Sequence, residues 1–157
     1  MPGFPVGAAT SVARATLADI VVLAPLFDAY RVFYGQPSDA AAARAFLAER
    51  IGRAESVVFL ARDASDAALG FVQLYPAFSS VSARRLWILN DLYVHPSARR
   101  LGVARMLMDA ARGHAAQTGA VRLVLETAED NGAAQVLYES LGYARECATR
   151  HYLLAID

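Results

Sequence analysis

A strand, a basic turn and the start of a helix follow one another between Leu89 and Arg105. The strand is apolar, the turn contains Arg99 and Arg100, and Gly102 lies where the helical pattern begins. The N-terminus of a helix presents backbone N–H groups without intrahelical partners and carries partial positive charge, so it attracts phosphate. Because glycine also lets a ligand approach the backbone closely, this segment predicts a pyrophosphate-binding turn.

The single glycine of this turn limits which phosphate-binding motif it could belong to. A dinucleotide-binding G-x-G-x-x-G motif needs three glycines, whereas the turn has only Gly102, and the G-K-[ST] ending of a P-loop is absent. An arginine-rich surface turn that binds no ligand accounts for the same residues. The segment by itself does not decide between a phosphate site and a surface turn.

The elements that must position this turn follow from the periodicity of apolar residues. The predicted order is a strand at 11–15, helices at 17–34 and 38–53, strands at 56–62, 69–78 and 84–94, a helix at 101–118, a strand at 121–127, a helix at 131–141 and one or two strands within 143–156. Pro25 is expected to kink or split the first helix. This β-α-α-β-β-β-α-β-α-β(-β) order predicts an α/β fold, a mixed sheet with helices on both faces, in which strands 84–94 and 121–127 are parallel.

Length and composition indicate one compact domain. The chain has 157 residues, 56% of them apolar, and we expect a flexible tip at 1–10 followed by a single domain at 11–157. Lys plus Arg and Asp plus Glu number 15 each, so no broad basic field predicts a nucleic-acid partner. No apolar run is long enough for a membrane span or placed as in a secretory signal, so we expect a soluble protein of the cytoplasm.

The cysteine and histidine content argues against disulfide and metal chemistry. Cys147 is the only cysteine, so no intrachain disulfide can form, and we expect a buried structural thiol rather than a carrier of an acyl group. His95, His114 and His151 lack the spacing of metal ligands. No metal is therefore expected.

Two motifs resemble the signatures of the GNAT N-acetyltransferase family. Residues 99–104, R-R-L-G-V-A, match its [QR]-x-x-G-x-[GA] motif, and residues 131–143, N-G-A-A-Q-V-L-Y-E-S-L-G-Y, resemble its N-x-x-A-x-x-x-Y-x-x-x-G-[FY] signature. Segments 30–35 and 89–94 are more specifically similar to the branch that includes histone and polyamine acetylators. The resemblance implies the GNAT fold and the transfer of an acetyl group from acetyl-coenzyme A to a primary amine, by direct attack in a ternary complex.

The same resemblance implies which residues bind the coenzyme. The end of strand 84–94 would hold the pantetheine arm with backbone groups, and an N–H near Leu92 or Tyr93 would polarise the thioester carbonyl. Asn131, Ala134 and Tyr138 have the spacing of one helix face, where a small residue leaves room for the ligand. The expected contacts with coenzyme A are Leu92, Tyr93, Val94, Arg99, Arg100, Leu101, Gly102, Val103, Ala104, Arg105, Asn131, Ala134 and Tyr138.

Two proton transfers require catalytic groups. The family implies that the Tyr138 phenol protonates the departing thiolate, although a core aromatic with its hydroxyl at the edge is the simpler alternative. An alkyl ammonium must lose a proton before it attacks, and Asp91, at the end of the same strand, is the best candidate for the base. The family often has a glutamate nearby, so a purely structural Asp91 stays open. Glu126 and Glu129 are weaker candidates.

The acceptor pocket is expected beside the first two helices. Tyr30, Phe33, Tyr34 and Tyr75 form an aromatic group that could bind a cation or an apolar substrate body, or simply pack the core. The acceptor itself stays open between a small amine and a protein lysine, and the resemblance implies a homodimer. The rival hypotheses are a catalytically silent coenzyme A sensor and an unrelated α/β nucleotide binder.

Overall fold

The computed structural model of the protein describes residues 9–156. It divides the chain into two compact units, one ending at Leu125 and one beginning at Glu126. Most of the tip predicted at residues 1–10 lies outside the described residues, and the single domain expected at 11–157 stays a prediction.

The first unit contains most of the regular structure. Short 3-10 turns at Leu17–Asp19 and Pro96–Ala98 precede the first and third helices. The elements are β1 (Ser11–Arg14), α1 (Ile20–Phe33), α2 (Ala40–Gly52), β2 (Val57–Arg62), β3 (Ala68–Ser79), β4 (Arg84–Val94), α3 (Val103–Gln117) and β5 (Leu123–Val124). The order matches the predicted one, and the bounds of β2, β3 and β4 lie within about two residues of those predicted from apolar patterning, the usual disagreement at element ends.

The five strands form one mixed sheet in the order β1-β2-β3-β4-β5. The first four strands pair antiparallel, and β4 and β5 are parallel, as the strand-helix-strand pattern predicted. The predicted last strand of this unit is much shorter than expected. Only Leu123 and Val124 pair, with Trp87 and Ile88 respectively, so β4 continues beyond the end of this pairing.

The helices of this unit cover opposite faces of the sheet. Val58, Leu60, Phe71 and Tyr93 pack in the core with α1 and α2. Phe59 lies between two of these residues, so it points the other way, and its ring is 5.7 Å from that of His114 on α3. We call these the α1 face and the α3 face. The prediction of helices on both faces is therefore confirmed.

The start of α1 and the proline within it follow from local sequence. Thr16 and Asp19 form a capping box, in which the Asp19 carboxylate accepts from the Thr16 N–H at 2.7 Å and the Thr16 hydroxyl accepts from the Ala18 N–H. Pro25 lies inside α1 without splitting it, contrary to one expectation. Its ring is exposed, and Val21, whose carbonyl loses its intrahelical donor, is also exposed, so water can satisfy that carbonyl.

The second unit contains one helix, α4 (Gly132–Ser140). The strands predicted within 143–156 are absent from the described residues, because an apolar segment becomes a strand only when another strand pairs with it. The large side chains near the end of this segment are exposed, namely Tyr152, Leu153, Leu154 and Ile156. Cys147 lies in the same segment and is exposed, so the expected buried thiol is wrong. In residues 9–156, no helix has the length and apolar content needed to cross a membrane.

Candidate active site

A β-bulge interrupts β4 at Asn90. Gln73 of β3 pairs with Asp91, and the next residue, Leu74, pairs with Leu89, so Asn90 has no partner on β3. An extra residue of this kind bends a strand and changes which face its side chains take. Leu89 therefore lies opposite Leu74, whereas Asp91 faces the other side of the sheet.

The bulge places Asp91 on the α1 face together with Tyr93. The carboxylate is buried, with 3% of the residue exposed. Its Oδ2 accepts a hydrogen bond from Gln73 Nε2, and its Oδ1 accepts one from Asn90 Nδ2 at 2.9 Å. The Asn90 side chain, which belongs to the bulge, thus turns back towards its neighbour in the sequence.

Two tyrosines lie beside this carboxylate. Burial, together with the charge of Asp91 and a hydrogen bond to it, raises the pKa of Tyr30 well above its usual value. Burial and the charge of Asp91 raise the pKa of Tyr75 to about 12, with Arg50 opposing the shift. Both phenols stay protonated at neutral pH. Asp91 is thus surrounded by neutral donors, an arrangement that holds a carboxylate in a defined orientation.

Only two of the four residues predicted for the acceptor pocket approach Asp91 in this way. The Tyr30 ring also belongs to the core, with centroids 5.9 Å from Phe71 and 6.4 Å from Tyr93. Tyr34 stacks edge-on against Tyr30 at 4.9 Å, and Phe33 contacts Tyr34 at 5.2 Å. Tyr34 and Phe33 are exposed, so they form a surface extension of the aromatic group.

The end of β4 keeps one edge open. β5 pairs with Trp87 and Ile88 only, and within residues 9–125 no strand pairs with residues 89–94 along that side. Alternate backbone N–H and C=O groups of an unpaired edge are available to a ligand. Leu92, Tyr93 and Val94, for which contacts with the pantetheine arm are predicted, lie in this stretch. The Val94 carbonyl oxygen accepts a hydrogen bond from Arg99 Nε at 3.2 Å.

The turn after β4 has the backbone of an anion-binding nest. Arg100 and Gly102 both have left-handed conformations, with φ of 62° and 81°. Gly102 caps α3 without a side chain, and Met106 N–H is bonded to its carbonyl. The N–H groups of Val103 and Ala104 lie outside the i→i−4 ladder, so they are oriented to bind a phosphate. The residues present therefore fit a pyrophosphate.

The arginines of the turn have different surroundings. Arg99 bends back towards β4, and its guanidinium lies 6.0 Å from the rings of both Phe33 and Tyr93. Arg100, Leu101 and Arg105 are exposed at the start of α3. Arg100 and Arg105 thus lie at the nest, whereas Arg99 joins the turn to the aromatic group on α1.

A glycine that the sequence patterns did not single out controls the approach of β3 to β4. A Cβ on Gly70 would lie 2.6 Å from the Tyr93 carbonyl oxygen and 3.1 Å from the Val94 Cα. Contacts that short do not occur, so only glycine permits this spacing at the end of β4. An isolated glycine inside an apolar strand was the available signal for such a close approach.

The second unit presents the other motif residues on α4. Asn131 is the N-cap, and its side chain accepts from the Ala134 N–H at 3.3 Å. Ala134 and Tyr138 follow along the helix, both half-buried, and the Tyr138 ring is 6.0 Å from that of Tyr143. Asn131 thus has a structural role in starting α4, and the remaining ligand roles of these residues stay predictions.

The alternative acid-base residues differ from Asp91 in burial. Glu126 is exposed and forms an ion pair with His151 at 3.3 Å, and Glu129 is exposed too. Neither has the buried setting of Asp91. Across residues 9–156 there is no group of three or more His, Cys, Asp or Glu side chains placed to hold a metal ion.

Comparison with known proteins agrees with this geometry. The chain matches the Acetyltransferase (GNAT) family over residues 23–143. It is 44% identical over 146 residues to the uncharacterized N-acetyltransferase YhfO of Bacillus subtilis strain 168, covering 93% of this chain and 97% of that protein. A crystal structure of a probable acetyltransferase superposes with a TM-score of 0.89 at 47% identity, covering 94% of this chain and 98% of the other.

A more distant structure shares the fold. An aminoglycoside N-acetyltransferase in complex with coenzyme A has a TM-score of 0.77 at 21% identity, with 98% of this chain and 99% of that one covered. This chain belongs to the GNAT acetyltransferase family, whose members use acetyl-coenzyme A as the acyl donor.

Proposed function

We propose that this protein is an N-acetyltransferase that transfers the acetyl group of acetyl-coenzyme A to a primary amine by direct attack in a ternary complex, with Asp91 as the general base. The observation that carries the proposal is the setting of Asp91. Its carboxylate is buried at the end of β4, just after the bulge, and two amide groups hold it in place. A buried carboxylate beside an open strand edge is suited to accept a proton from a bound amine.

The base step follows from the charges involved. An alkyl ammonium has a pKa of about 10.4, so at neutral pH it binds as a cation and must be deprotonated. Asp91 attracts the cation and accepts the proton, directly or through one water. The N–H bond breaks, an O–H bond forms on the carboxyl group, and the nitrogen lone pair becomes available to attack. Tyr30 and Tyr75 remain neutral throughout and do not compete for the proton.

The donor is held by backbone groups in this proposal. The open edge at Leu92 and Tyr93 binds the pantetheine arm, and the nest with the first N–H groups of α3 binds the pyrophosphate. Arg100 and Arg105 add cationic charge there, and Arg99 closes the turn against β4. When bound, acetyl-coenzyme A supplies an activated acyl group; the chain supplies orientation and proton transfer.

Tyr138 is the proposed general acid. Its phenol would give a proton to the sulfur as the C–S bond breaks, which avoids the release of a free thiolate. Support comes from the motif in which Tyr138 stands and from the half-buried position of its ring on α4. The substitution Tyr138→Phe removes the proton and keeps the ring.

The acceptor side favours a slender amine. Tyr30 and Tyr75 flank Asp91, while Tyr34 and Phe33 extend the aromatic surface outwards. A narrow alkyl ammonium, free or at the end of a protein lysine, matches a carboxylate between aromatic rings. The similarity of residues 30–35 and 89–94 to histone and polyamine acetylators makes lysine peptides and polyamines the first acceptors to try.

The decisive experiment measures thiol release from acetyl-coenzyme A with a panel of amines, polyamines and lysine peptides, for the wild type and Tyr138→Phe. We expect one amine class to accelerate release and the variant to lose most of that rate, about 10- to 100-fold. If acetyl-coenzyme A binds but no acceptor accelerates release, a silent coenzyme A sensor replaces the proposal. Binding of ATP or a dinucleotide without coenzyme A would indicate an unrelated nucleotide binder.

Two further features belong to the same proposal. We place the activity in the cytoplasm, which suits a chain with a single exposed cysteine and no disulfide. We also expect a homodimer, because the apolar side chains of residues 152–156 are exposed in the single chain and would be covered by a second copy. Sedimentation of the wild type against a variant with charged residues at 153 and 154 would test the dimer.

A further inference from the structure

Gln73 lies directly opposite Asp91 on the neighbouring strand. The two residues are register partners of the β3–β4 ladder and share the α1 face. Gln73 has no exposed surface at all, although glutamine is a residue that is rarely fully buried. It is the polar exception in a run of buried apolar side chains from Leu69 to Leu74. Its burial beside Asp91 needs an explanation.

The two oxygens of the Asp91 carboxylate are held separately. Gln73 Nε2 donates to Oδ2, while Asn90 Nδ2 donates to Oδ1 at 2.9 Å. Asn90 is exposed and belongs to the bulge, so its contact depends on local backbone geometry. Gln73 is fully buried in a strand that pairs with a neighbour on each side. The buried amide is therefore the more rigid of the two supports.

The other polar atom of the Gln73 side chain is its amide oxygen. Its Oε1 is buried and has no hydrogen-bond partner among the described residues. A buried acceptor without a donor lowers stability, and an apolar side chain of similar size would avoid the penalty. Packing alone thus does not account for glutamine here. The hydrogen bond to Asp91 accounts for a glutamine at this position.

We propose that Gln73 is a positioning residue that fixes the orientation of the Asp91 carboxylate towards the incoming amine. The proposal rests on the proposed function of Asp91 as the general base. An amide donor does not titrate, so it can hold the carboxylate both before and after the proton arrives. In the step itself the ammonium N–H bond breaks and the Asp91 O–H bond forms, while the Gln73 N–H bond stays intact.

The first test compares Gln73→Met with the wild type. Methionine fills a similar volume but lacks the donor, so the carboxylate can rotate away from the amine. We expect kcat to fall about 10-fold, with the KM for acetyl-coenzyme A changed by less than about twofold, because a misplaced base slows the chemical step without weakening donor binding. The matched control is Leu74→Met, the adjacent buried residue on the other face of the same strand, which should leave kcat unchanged.

The second test asks whether Gln73 acts through Asp91. In the Asp91→Asn background, the addition of Gln73→Met should lower kcat no further, because the residue that Gln73 positions has lost its function. If the two effects multiply instead, Gln73 acts independently of Asp91 and the inference is wrong. It is equally wrong if Gln73→Met retains the wild-type kcat while Asp91→Asn loses turnover.

An exchanged pair separates catalysis from folding. Gln73→Glu combined with Asp91→Asn keeps one amide and one carboxylate in contact but moves the carboxylate to β3. We expect the thermal midpoint to recover relative to either single substitution while kcat stays as low as in Asp91→Asn. Recovery of kcat in the exchanged pair would overturn the positioning role. A wild-type kcat in Asp91→Asn alone would instead reject the proposed base, and the inference with it.

Discussion

The two halves of β4 have different surroundings and different roles. In the first half, residues 84–89, Trp87 and Ile88 pair with a strand on each side, and Trp87 faces α3. In the second half, residues 90–94, only β3 provides a strand partner in the first unit, and Asp91 and Tyr93 face α1. The first half of β4 thus belongs to the packed sheet, and the second half belongs to the candidate active site. The bulge at Asn90 separates the two halves.

The bulge has this effect because side chains alternate along a strand. Without it, Trp87, Leu89, Asp91 and Tyr93 would share one face. The single extra residue reverses that order, so two buried residues pack against α3 and the next two reach the α1 face. On the α3 face, the carboxylate would lie on the opposite side of the sheet from Gln73. The bulge therefore determines whether Asp91 lies on the α3 face or on the α1 face, where the candidate active site is.

The largest effect is expected from removing the negative charge of Asp91 in the second half of β4. We expect Asp91→Asn to lower kcat about 100-fold, equivalent to about 2.7 kcal/mol, since general bases typically contribute that much. The free energy of unfolding should change by less than about 1.5 kcal/mol, because asparagine keeps the shape and part of the hydrogen bonding. Steady-state kinetics and urea unfolding on the same preparation measure both. Wild-type turnover in this variant would remove Asp91 from the mechanism.

Gly70 offers a steric test of the same half. An alanine Cβ would meet the Tyr93 carbonyl oxygen at 2.6 Å, so β3 and β4 must separate where the donor is expected to bind. We expect Gly70→Ala to cost about 2 kcal/mol of stability and to raise the KM for acetyl-coenzyme A.

The control for this variant is Gly113→Ala within α3, where a Cβ has nothing within 4 Å. That substitution should stabilise the helix by up to about 1 kcal/mol and leave the KM unchanged. Equal KM values for the two variants would mean that the spacing at Gly70 does not affect donor binding.

A substitution in the first half of β4 is expected to change stability and leave catalysis unchanged. Trp87 Nε1 donates to Thr118 Oγ1 at 2.8 Å, and the indole ring lies 4.7 Å from that of His114. Trp87→Phe removes the donor and part of the packing, so we expect a loss of about 1–2 kcal/mol in the free energy of unfolding. At temperatures where the variant is folded, kcat and KM should equal those of the wild type. A fall in kcat would show that the first half also contributes to the site.

Sequence patterns predicted the helices and strands better than the pairing between the strands. The strand at 84–94 and the helix after it were found because apolar periodicity is a local property. The bulge at Asn90 depends on pairing with β3, and the positions of Trp87, Leu89, Asp91 and Tyr93 in the sequence look like plain alternation. The strands expected within 143–156 failed for a related reason, since strand formation depends on a distant partner.

The sequence predicted those parts of the site that can be recognised from the type of a single residue. Asp91 and the turn at 99–102 stand out by residue type, but their supports do not. Gln73 was visible only as a polar residue within an apolar strand, and its register with Asp91 belongs to the folded sheet. The role of Arg99 at the pyrophosphate stays a prediction, and its hydrogen bond to the Val94 carbonyl oxygen is a contact that only the folded turn reveals.

The smallest effect we expect comes from His114, which packs against Trp87 on the α3 face. Burial lowers its pKa, with help from the charges of Arg14 and Arg85. The folded state therefore binds this proton more weakly than the unfolded chain, in which the histidine pKa is about 6.5. The contribution to stability is present above that pH and is lost as the pH falls below it. Asp19, Asp28 and Asp63, whose pKa values are lowered from 3.8, act only at more acidic pH.

A comparison with His114→Gln isolates this effect, because all other groups titrate equally in both proteins. Between pH 7 and pH 5 the wild type should lose up to about 0.5 kcal/mol more stability than the variant, a value reduced by the partial exposure of the ring. Urea unfolding at the two pH values measures the difference. The kcat of the two proteins should match at pH 7, since His114 lies on the face opposite Asp91. Parallel stability curves would mean that His114 titrates alike in the folded and unfolded chains, whereas a change in kcat would mean that the bulge does not isolate the two halves of β4.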